Sequence, residues 1–390
     1  MRPVVGSRAL IPDLEVPHYL NYAAIAPLAV PVRRAMHEAV TAQARLGLGA
    51  VGGWVEALHR LKRSFATLAG VGEGDLAFTH STSAGIRSIA LCFPWRPGDR
   101  VLLLEGEFPA NVTPWQRAAA LFGLELCMQP VADFASDPAA ALERLDGLLA
   151  RGVRLVAVSA VQFSTGLRMP IRDIAARCKD HGAQLFVDGI QACGVVPLHA
   201  WDDGADYLAV GGHKWLGGPF GTGLLAVRPE HWDRLQPHMA SWLSHVDGMR
   251  FLTDGAGHLR YDRPIHAGPP MFEGAAFNGV GAAGLGAAVE LLVELGIPAI
   301  AAHQQAVLDR LEGGLIERGL RSLRSPRPAQ RSGILAMVPP AGHPAQAMAK
   351  ALEARGVSVS APDGNLRFAP HWTFSLDEVE PVIDQVSSVL

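Results

Sequence analysis

The most informative stretch of the chain is YLAVGGHKWLGGP, residues 207–219. An apolar, β-prone run comes first, two glycines follow it, and Lys214 then stands before a second glycine-rich turn. A lysine in so apolar and tight a setting is costly unless its amine is paired, bonded or used covalently. A Schiff base between Lys214 and an aldehyde, on a cofactor or a substrate, would remove that cost. A lysine at the exposed end of a strand is the ordinary alternative.

A second β-prone run, upstream, ends in a carboxylate. LFVD, residues 185–188, ends at Asp188, and Gly189 and Gln191 follow. The chain between Asp188 and Lys214 is long enough for one further strand, so both side chains can converge on one pocket at the carboxyl ends of a parallel sheet. A carboxylate there can keep a pyridine nitrogen protonated, which makes an aromatic cofactor an electron sink. Taken alone, Asp188 would be read as a turn or helix-cap residue.

The region around these two residues alternates between short apolar runs and amphipathic stretches. This pattern predicts a mostly parallel sheet with helices on both faces. A second, smaller alternation near the C-terminus predicts an α+β domain. We expect a large domain over residues 15–260 and a small domain formed by residues 1–14 and 261–390. The predicted strands of the large sheet are residues 76–79, 100–104, 124–129, 154–159, 184–187, 207–210 and 223–227.

Composition and charge exclude several classes of protein. The chain has 390 residues, of which 49% are hydrophobic and 18% charged, so it is not intrinsically disordered. A net charge of −3 does not indicate a nucleic acid or an anionic membrane as partner. No apolar run is long enough for a membrane helix, and the residues after Met1 do not resemble a secretory signal. Scattered cysteines without metal-ligand spacing predict thiols in a reducing cytoplasm, and no metal site.

One glycine motif is misleading. GVGAAG, residues 279–284, matches the dinucleotide-binding fingerprint, but the preceding FEGAAFN is not an apolar strand and no acidic residue follows about 20 positions later. Close packing of a helix through small residues is the better interpretation, and a NAD-dependent dehydrogenase is not expected.

VDGIQA at residues 187–192, followed by GHK at 212–214, resembles the pyridoxal-phosphate (PLP) signature of fold-type I enzymes. Within these, the chain is similar to the class V aminotransferase and cysteine desulfurase superfamily from Asn21 onward. The resemblance implies a PLP-dependent transferase fold, with a mostly parallel seven-stranded sheet in a large domain and a smaller α+β C-terminal domain. It also implies PLP as cofactor, Lys214 and Asp188 as catalytic residues, an amino acid substrate, and a homodimer whose active site lies at the subunit interface.

Further roles are carried over from the family onto matching residues. In FTHSTSAG, residues 78–85, Thr82 and Ser83 would bind the phosphate at a helix start. Phe108 would stack on the cofactor where desulfurases commonly carry histidine, and it cannot transfer a proton. Gln191 would bond the phenolic oxygen and His213 the phosphate.

The substrate side of the site is matched less closely. Arg367, in GNLRFAPH at residues 364–371, would grip the substrate carboxylate as a planar bidentate donor. Gln162 is predicted to face the pocket from the end of a strand, although a loop amide bonded to backbone groups is an equal alternative. Ala276 and Gly211 stand where relatives carry hydroxyls, which predicts weaker cofactor retention unless another donor such as Asn278 compensates.

The reaction is less constrained than the cofactor. Desulfurases carry a mobile cysteine in the small domain, and no cysteine follows Cys193 here, so a persulfide-forming desulfurase is not expected. We expect an aminotransferase first. The alternatives are a β-elimination lyase, a kynureninase-like enzyme and an amino-acid epimerase, followed by a non-catalytic protein that keeps the fold.

Overall fold

The strands match the sequence-based expectation closely. The computed structural model describes residues 2–390, and the predicted strands of the large sheet all form, with ends that differ by no more than one residue. The strands are β1 (His18–Tyr19), β2 (Leu76–Thr79), β3 (Arg100–Glu105), β4 (Glu125–Pro130), β5 (Val153–Ser159), β6 (Gln184–Asp188), β7 (Tyr207–Gly211), β8 (Gly223–Val227), β9 (Arg321–Ser322), β10 (Leu335–Val338), β11 (Val357–Ser358) and β12 (Leu366–Phe368).

The helices begin and end at residues with a physical reason to be there. Asp137 and Asn278 accept backbone N–H groups as N-caps, and Gly70 ends a helix in the left-handed conformation. The helices are α1 (Val30–Leu46), α2 (Val51–Ala69), α3 (Thr82–Cys92), α4 (Thr113–Phe122), α5 (Val131–Ser136), α6 (Pro138–Leu149), α7 (Ile171–Asp180), α8 (Arg250–Thr253), α9 (Gly279–Leu295), α10 (Ile297–Glu317), α11 (Ala345–Glu353) and α12 (Val379–Ser387).

The large sheet has the strand order β2-β8-β7-β6-β5-β3-β4, in which β8 is antiparallel to both neighbours and the other pairs are parallel. The expected mostly parallel α/β fold is therefore confirmed. Asp188 ends β6, where it pairs with Ser159 of β5 and Ala209 of β7. Lys214 follows the end of the adjacent strand β7. Both groups therefore lie at the carboxyl edge of the sheet, where ligands of such folds bind.

The small domain has a separate apolar core. Strands β12, β10 and β9 form an antiparallel sheet, and β1 from the N-terminal segment pairs with β11. A cluster that includes Leu308, Leu352 and Phe368 fills the space between this sheet and helices α10, α11 and α12. Helix α9 instead packs on α1 and α2 and belongs to the core of the large sheet. The domain boundaries given above stay a prediction.

Two short helical segments depart from a regular strand–loop–helix order. Helix α5 follows β4 without an intervening loop, with Pro130 at the end of β4 as its N-cap. The C-terminal segment begins with a 3-10 turn at Leu376–Glu378 and continues as α12. The interpretation of GVGAAG is confirmed, since it lies in α9, where a Cβ on Gly279 would be 2.5 Å from the Trp54 ring and one on Gly284 2.7 Å from Met36.

Residues 2–390 contain no single helix that is both long and apolar enough to cross a membrane. Helices α9 and α10 meet both conditions only when taken together, and they are bent by 77° relative to each other. Residues 2–390 also contain no group of three or more His, Cys, Asp or Glu side chains arranged to hold a metal ion.

Candidate active site

A cavity of about 400 Å³ opens at the carboxyl edge of the large sheet and extends to the small domain. It brings together eight of the nine residues predicted from the sequence. Five lie at the ends of β2, β3 and β6 or just after them, two follow β7, and one comes from β12 of the small domain. These eight are Thr82, Ser83, Phe108, Asp188, Gln191, His213, Lys214 and Arg367.

Lys214 has an amine that is easily deprotonated. The pKa of Lys214 is lowered to about 8, chiefly by burial and in smaller part by the nearby Arg367 cation, while Asp188 opposes the shift. Its Nζ lies over the Phe108 ring, 5.8 Å from the ring centroid. The neutral amine required for a Schiff base is therefore accessible near neutral pH.

Asp188 is buried at the floor of the cavity. Its Oδ1 accepts the backbone N–H of Ile190 at 2.9 Å. The pKa of Asp188 is raised to about 7, chiefly by burial and in smaller part by the Glu107 carboxylate, while the Ile190 bond and Lys214 oppose the shift. A carboxyl group with such a pKa can share a proton with a ring nitrogen placed against it.

Glu107 is a buried acid that the sequence analysis did not single out. Its Oε1 accepts the Ser159 backbone N–H at 2.7 Å, and the Ser159 hydroxyl also donates to this carboxylate. The Gln162 amide donates to the same Oε1 at 3.1 Å. Gln162 lines a neighbouring cleft of about 760 Å³, where the buried carboxylate holds its amide. Its role in substrate binding stays a prediction.

The other end of the cavity is suited to an anion. Ser81 caps α3 by accepting the Ala84 backbone N–H at 3.1 Å. The N–H groups that precede Ala84 in the first turn of the helix have no intrahelical partners. Thr82 Oγ1 is buried and has no hydrogen-bond partner among residues 2–390. A Cβ on Gly211 would be 3.0 Å from that oxygen, so the glycine keeps space around the hydroxyl. These donors form a site for a phosphate.

His213 stands beside the anion site as a neutral ring. It stacks on Phe220, with 4.6 Å between ring centroids. The pKa of His213 is lowered to about 4, chiefly by burial and in smaller part by the neighbouring Lys214. Near neutral pH the imidazole can therefore donate one hydrogen bond without adding charge.

Arg367 reaches the cavity from β12 of the small domain. Its Nη1 donates to the Phe163 carbonyl at 2.6 Å and its Nε to the Ser360 hydroxyl at 3.0 Å. These bonds hold the guanidinium plane, while its remaining donors are available to a carboxylate. Phe163, which packs edge-on against Phe108, was not predicted, because only the fold brings its loop beside these two residues.

Comparison with known proteins establishes the family. The family model described as aminotransferase class-V matches residues 18–370. The chain belongs to the class V aminotransferase family. The curated relatives of this class V protein include a probable cysteine desulfurase of Mycolicibacterium paratuberculosis, 29% identical over 78% of this chain and 43% of the relative. A cysteine desulfurase of Dickeya dadantii is 33% identical over 67% of the chain and 61% of the relative. The class V chain thus matches about half of each relative's length.

Solved structures share the fold over nearly the whole length of the class V chain. A complex of the cystine C–S lyase C-DES with cysteine persulfide has a TM-score of 0.86 at 23% identity, covering 97% of this chain and 99% of that one. The cysteine desulfurase CsdA of Escherichia coli has a TM-score of 0.85 at 21% identity, covering 98% and 97%. These similarities confirm the fold-type I architecture.

Pyridoxal 5'-phosphate is the cofactor of this class V protein, and the cavity fits it. The unpartnered Thr82 hydroxyl and the start of α3 suit the phosphate, the Lys214 amine suits the aldehyde, and the Asp188 carboxyl suits the ring nitrogen. Ala276, which stands where relatives carry a hydroxyl, is exposed to solvent. The Oδ1 of Asn278 accepts the Gly281 N–H as the cap of α9, so only the amide nitrogen of Asn278 is left to replace that hydroxyl as a donor.

Replacing Arg367 with lysine is expected to raise KM for an amino acid substrate about 10- to 100-fold with little change in kcat, because one ammonium cannot reproduce two parallel N–H donors. Steady-state kinetics checks this, with Arg355→Lys as control, since Arg355 is exposed in the same domain and bonds only its own helix. An unchanged KM in Arg367→Lys would remove Arg367 from substrate binding.

Proposed function

We propose that this chain is a PLP-dependent C–S lyase that breaks the Cβ–S bond of a cysteine-derived amino acid by β-elimination. The observation that carries the proposal is a single cavity that unites Lys214, Asp188 and Arg367 and has no thiol among its described lining residues. The names of the relatives, cysteine desulfurases and a cystine C–S lyase, support C–S cleavage. They do not confirm the aminotransferase that was expected first.

The cysteines of the chain are unsuited to accept sulfur from a substrate. All of them are buried: Cys92, Cys127, Cys178 and Cys193. Burial raises the pKa of the Cys92 thiol to about 11 and of the Cys178 and Cys193 thiols to about 12, so these sulfurs stay protonated and unreactive. Sulfur would therefore leave the site in a free product.

Each residue of the cavity has a separate role in the proposed reaction. Arg367 binds the substrate carboxylate and so orients the bonds at Cα. Lys214 Nζ takes the Cα proton as a neutral amine, which its lowered pKa of about 8 permits. Asp188 holds the proton of the ring nitrogen. When bound, the cofactor supplies the electron sink for the bond broken at Cα.

The cavity also indicates which sulfur substrate suits it. Phe108 can pack on a ring but cannot protonate a leaving sulfur, and His213 is neutral near pH 7 because its pKa is lowered to about 4. A leaving group that is stable as an anion is therefore favoured. A persulfide is a weaker base than a thiolate, so the disulfide cystine suits this site better than cysteine. Cystine plus water would give pyruvate, ammonia and cysteine persulfide, with no change in overall oxidation state.

The test is to incubate the holoenzyme with L-cystine, L-cysteine and an amino acid without a leaving group, with and without keto acids. We expect pyruvate in a 1:1 ratio to persulfide, with cystine turned over at least about 10-fold faster than cysteine, and full activity after treatment of the native protein with iodoacetamide. Conversion of the cofactor to a stable pyridoxamine form that keto acids reverse would instead establish an aminotransferase. The predicted homodimer and cytoplasmic location stay predictions.

A further inference from the structure

A chain of hydrogen bonds behind the cavity joins the residue after Lys214 to Gln191. The Trp215 indole N–H donates to Gln191 Oε1 at 2.7 Å. Gln191 Nε2 in turn donates to the Ala23 carbonyl at 3.1 Å. Trp215 and Gln191 are both buried, and Gln191 also lines the cavity. None of these contacts involves the side chains that would perform the reaction.

These two bonds leave one orientation for the Gln191 amide. The indole N–H can only donate a hydrogen bond, and the Ala23 carbonyl can only accept one. If the amide O and N of Gln191 were exchanged, the amide NH₂ would face the indole N–H and the amide oxygen would face the Ala23 carbonyl, so neither bond could form. The oxygen is therefore fixed on Trp215. The second N–H of Nε2 remains as the hydrogen bond that Gln191 can offer to a ligand in the cavity.

Trp215 is itself held from two sides. The His371 Nε2–H donates to the Trp215 carbonyl at 3.0 Å, and burial lowers the pKa of His371 to about 3, so this ring is neutral near pH 7. Tyr22 stacks on the indole at 6.3 Å between centroids, and the His371 ring meets it edge-on at 5.3 Å. An indole packed in this way cannot turn its N–H away from Gln191 without disturbing the core.

We propose that Trp215 is a positioning residue that fixes the Gln191 amide so that its free N–H, and not its carbonyl, faces the cofactor. The phenolic oxygen is the acceptor that PLP carries next to the carbon bound by Lys214, so it is the atom that this N–H would meet. The proposal rests on the cofactor and not on the lyase reaction proposed above, and its test uses no substrate.

A hydrogen bond to the phenolic oxygen has a measurable consequence. The N–H stabilises the negative charge on that oxygen, and this favours loss of the neighbouring proton from the Schiff-base nitrogen. The bond therefore lowers the pKa of that nitrogen, and its loss raises it. A substitution at Trp215 removes none of the titratable side chains that line the cavity. These are Asp188, His213, Lys214 and Arg367. Glu107, which acts on Asp188 from the neighbouring loop, is also unchanged.

The experiment is a pH titration of the cofactor absorbance in the holoenzyme and in Trp215→Phe, which keeps a ring but removes the indole N–H. The pKa of the Schiff-base nitrogen is expected to rise by about 1, the shift expected for loss of one hydrogen bond to a charged group. The matched control is Trp115→Phe, because Trp115 is equally buried but donates to Asn111. The control should titrate as the wild type does.

A second variant makes the result independent of how well Trp215→Phe folds. Gln191→Leu removes the amide itself, so it should raise the same pKa to a similar extent, and combining it with Trp215→Phe should add nothing further. An unchanged pKa in Gln191→Leu would overturn the proposal. The proposal would also be overturned if this pKa were the same in Trp215→Phe and wild type, or if the two substitutions had additive effects on it in the double variant.

Discussion

Replacing Lys214 with alanine is expected to abolish the yellow absorbance of the holoenzyme and to lower turnover by roughly 10³-fold or more. One substitution removes both the covalent attachment of the cofactor and the amine that moves the Cα proton. Absorbance spectra and pyruvate formation measure the two losses separately. Thermal unfolding of the cofactor-free protein should show no loss of stability, because the pKa of this amine is lowered to about 8 and its charged form is destabilised in the folded protein.

Two controls separate the chemistry of Lys214 from a general effect of losing a lysine. Lys179→Ala removes an exposed lysine at the end of α7 and should leave colour and turnover unchanged. A small added amine such as methylamine should partly restore turnover in Lys214→Ala, because the emptied space can hold a substitute base. Yellow, active Lys214→Ala protein would contradict the assignment.

Replacing Asp188 with asparagine is expected to lower turnover by roughly 10²–10⁴-fold while the protein remains yellow. Asparagine keeps an oxygen that can accept the Ile190 N–H, now made at 2.9 Å, but it carries no charge to hold a proton on the ring nitrogen. Pyruvate formation and the absorbance spectrum, measured on the same sample, check both parts of the expectation.

Stability distinguishes this loss from misfolding. Burial raises the pKa of Asp188 to about 7, so the ionised carboxylate is costly in the cofactor-free protein and its replacement should not lower the melting temperature. Asp202→Asn makes the same change at an exposed position and should have wild-type activity. Near wild-type turnover in Asp188→Asn would show that this carboxyl does not support the ring.

The parts of the fold and site that could be predicted are those with signals inside one short stretch. Strand β7 and the two glycines before Lys214 lie in a single segment of thirteen residues that begins with an apolar run. A Cβ on Gly212 would be 2.3 Å from Thr222 Oγ1, which explains why the tight turn before the lysine needs that glycine. Asp188 was predictable for the same reason, because a carboxylate at the end of an apolar strand marks the edge of the sheet.

The parts that could not be predicted depend on contacts between distant segments. Glu107 and Ser159 come from different strand ends, and nothing in either segment indicates that the carboxylate takes both the Ser159 groups and the Gln162 amide. The same bond explains why Gln162 lines the neighbouring cleft, since its strand-end position indicates the edge of the sheet but not which cleft it lines. Trp215 is adjacent to Lys214 in sequence, yet its partner Gln191 is found only from the fold.

The most direct test of the account is reduction of the holoenzyme with borohydride, followed by proteolysis and mass spectrometry. Reduction fixes a Schiff base as a stable secondary amine, so the labelled lysine identifies the attachment site. The account predicts one pyridoxyl group per chain, on the peptide that contains Lys214. A label on Lys62, Lys179 or Lys350, or no label on protein that is saturated with PLP, would contradict it.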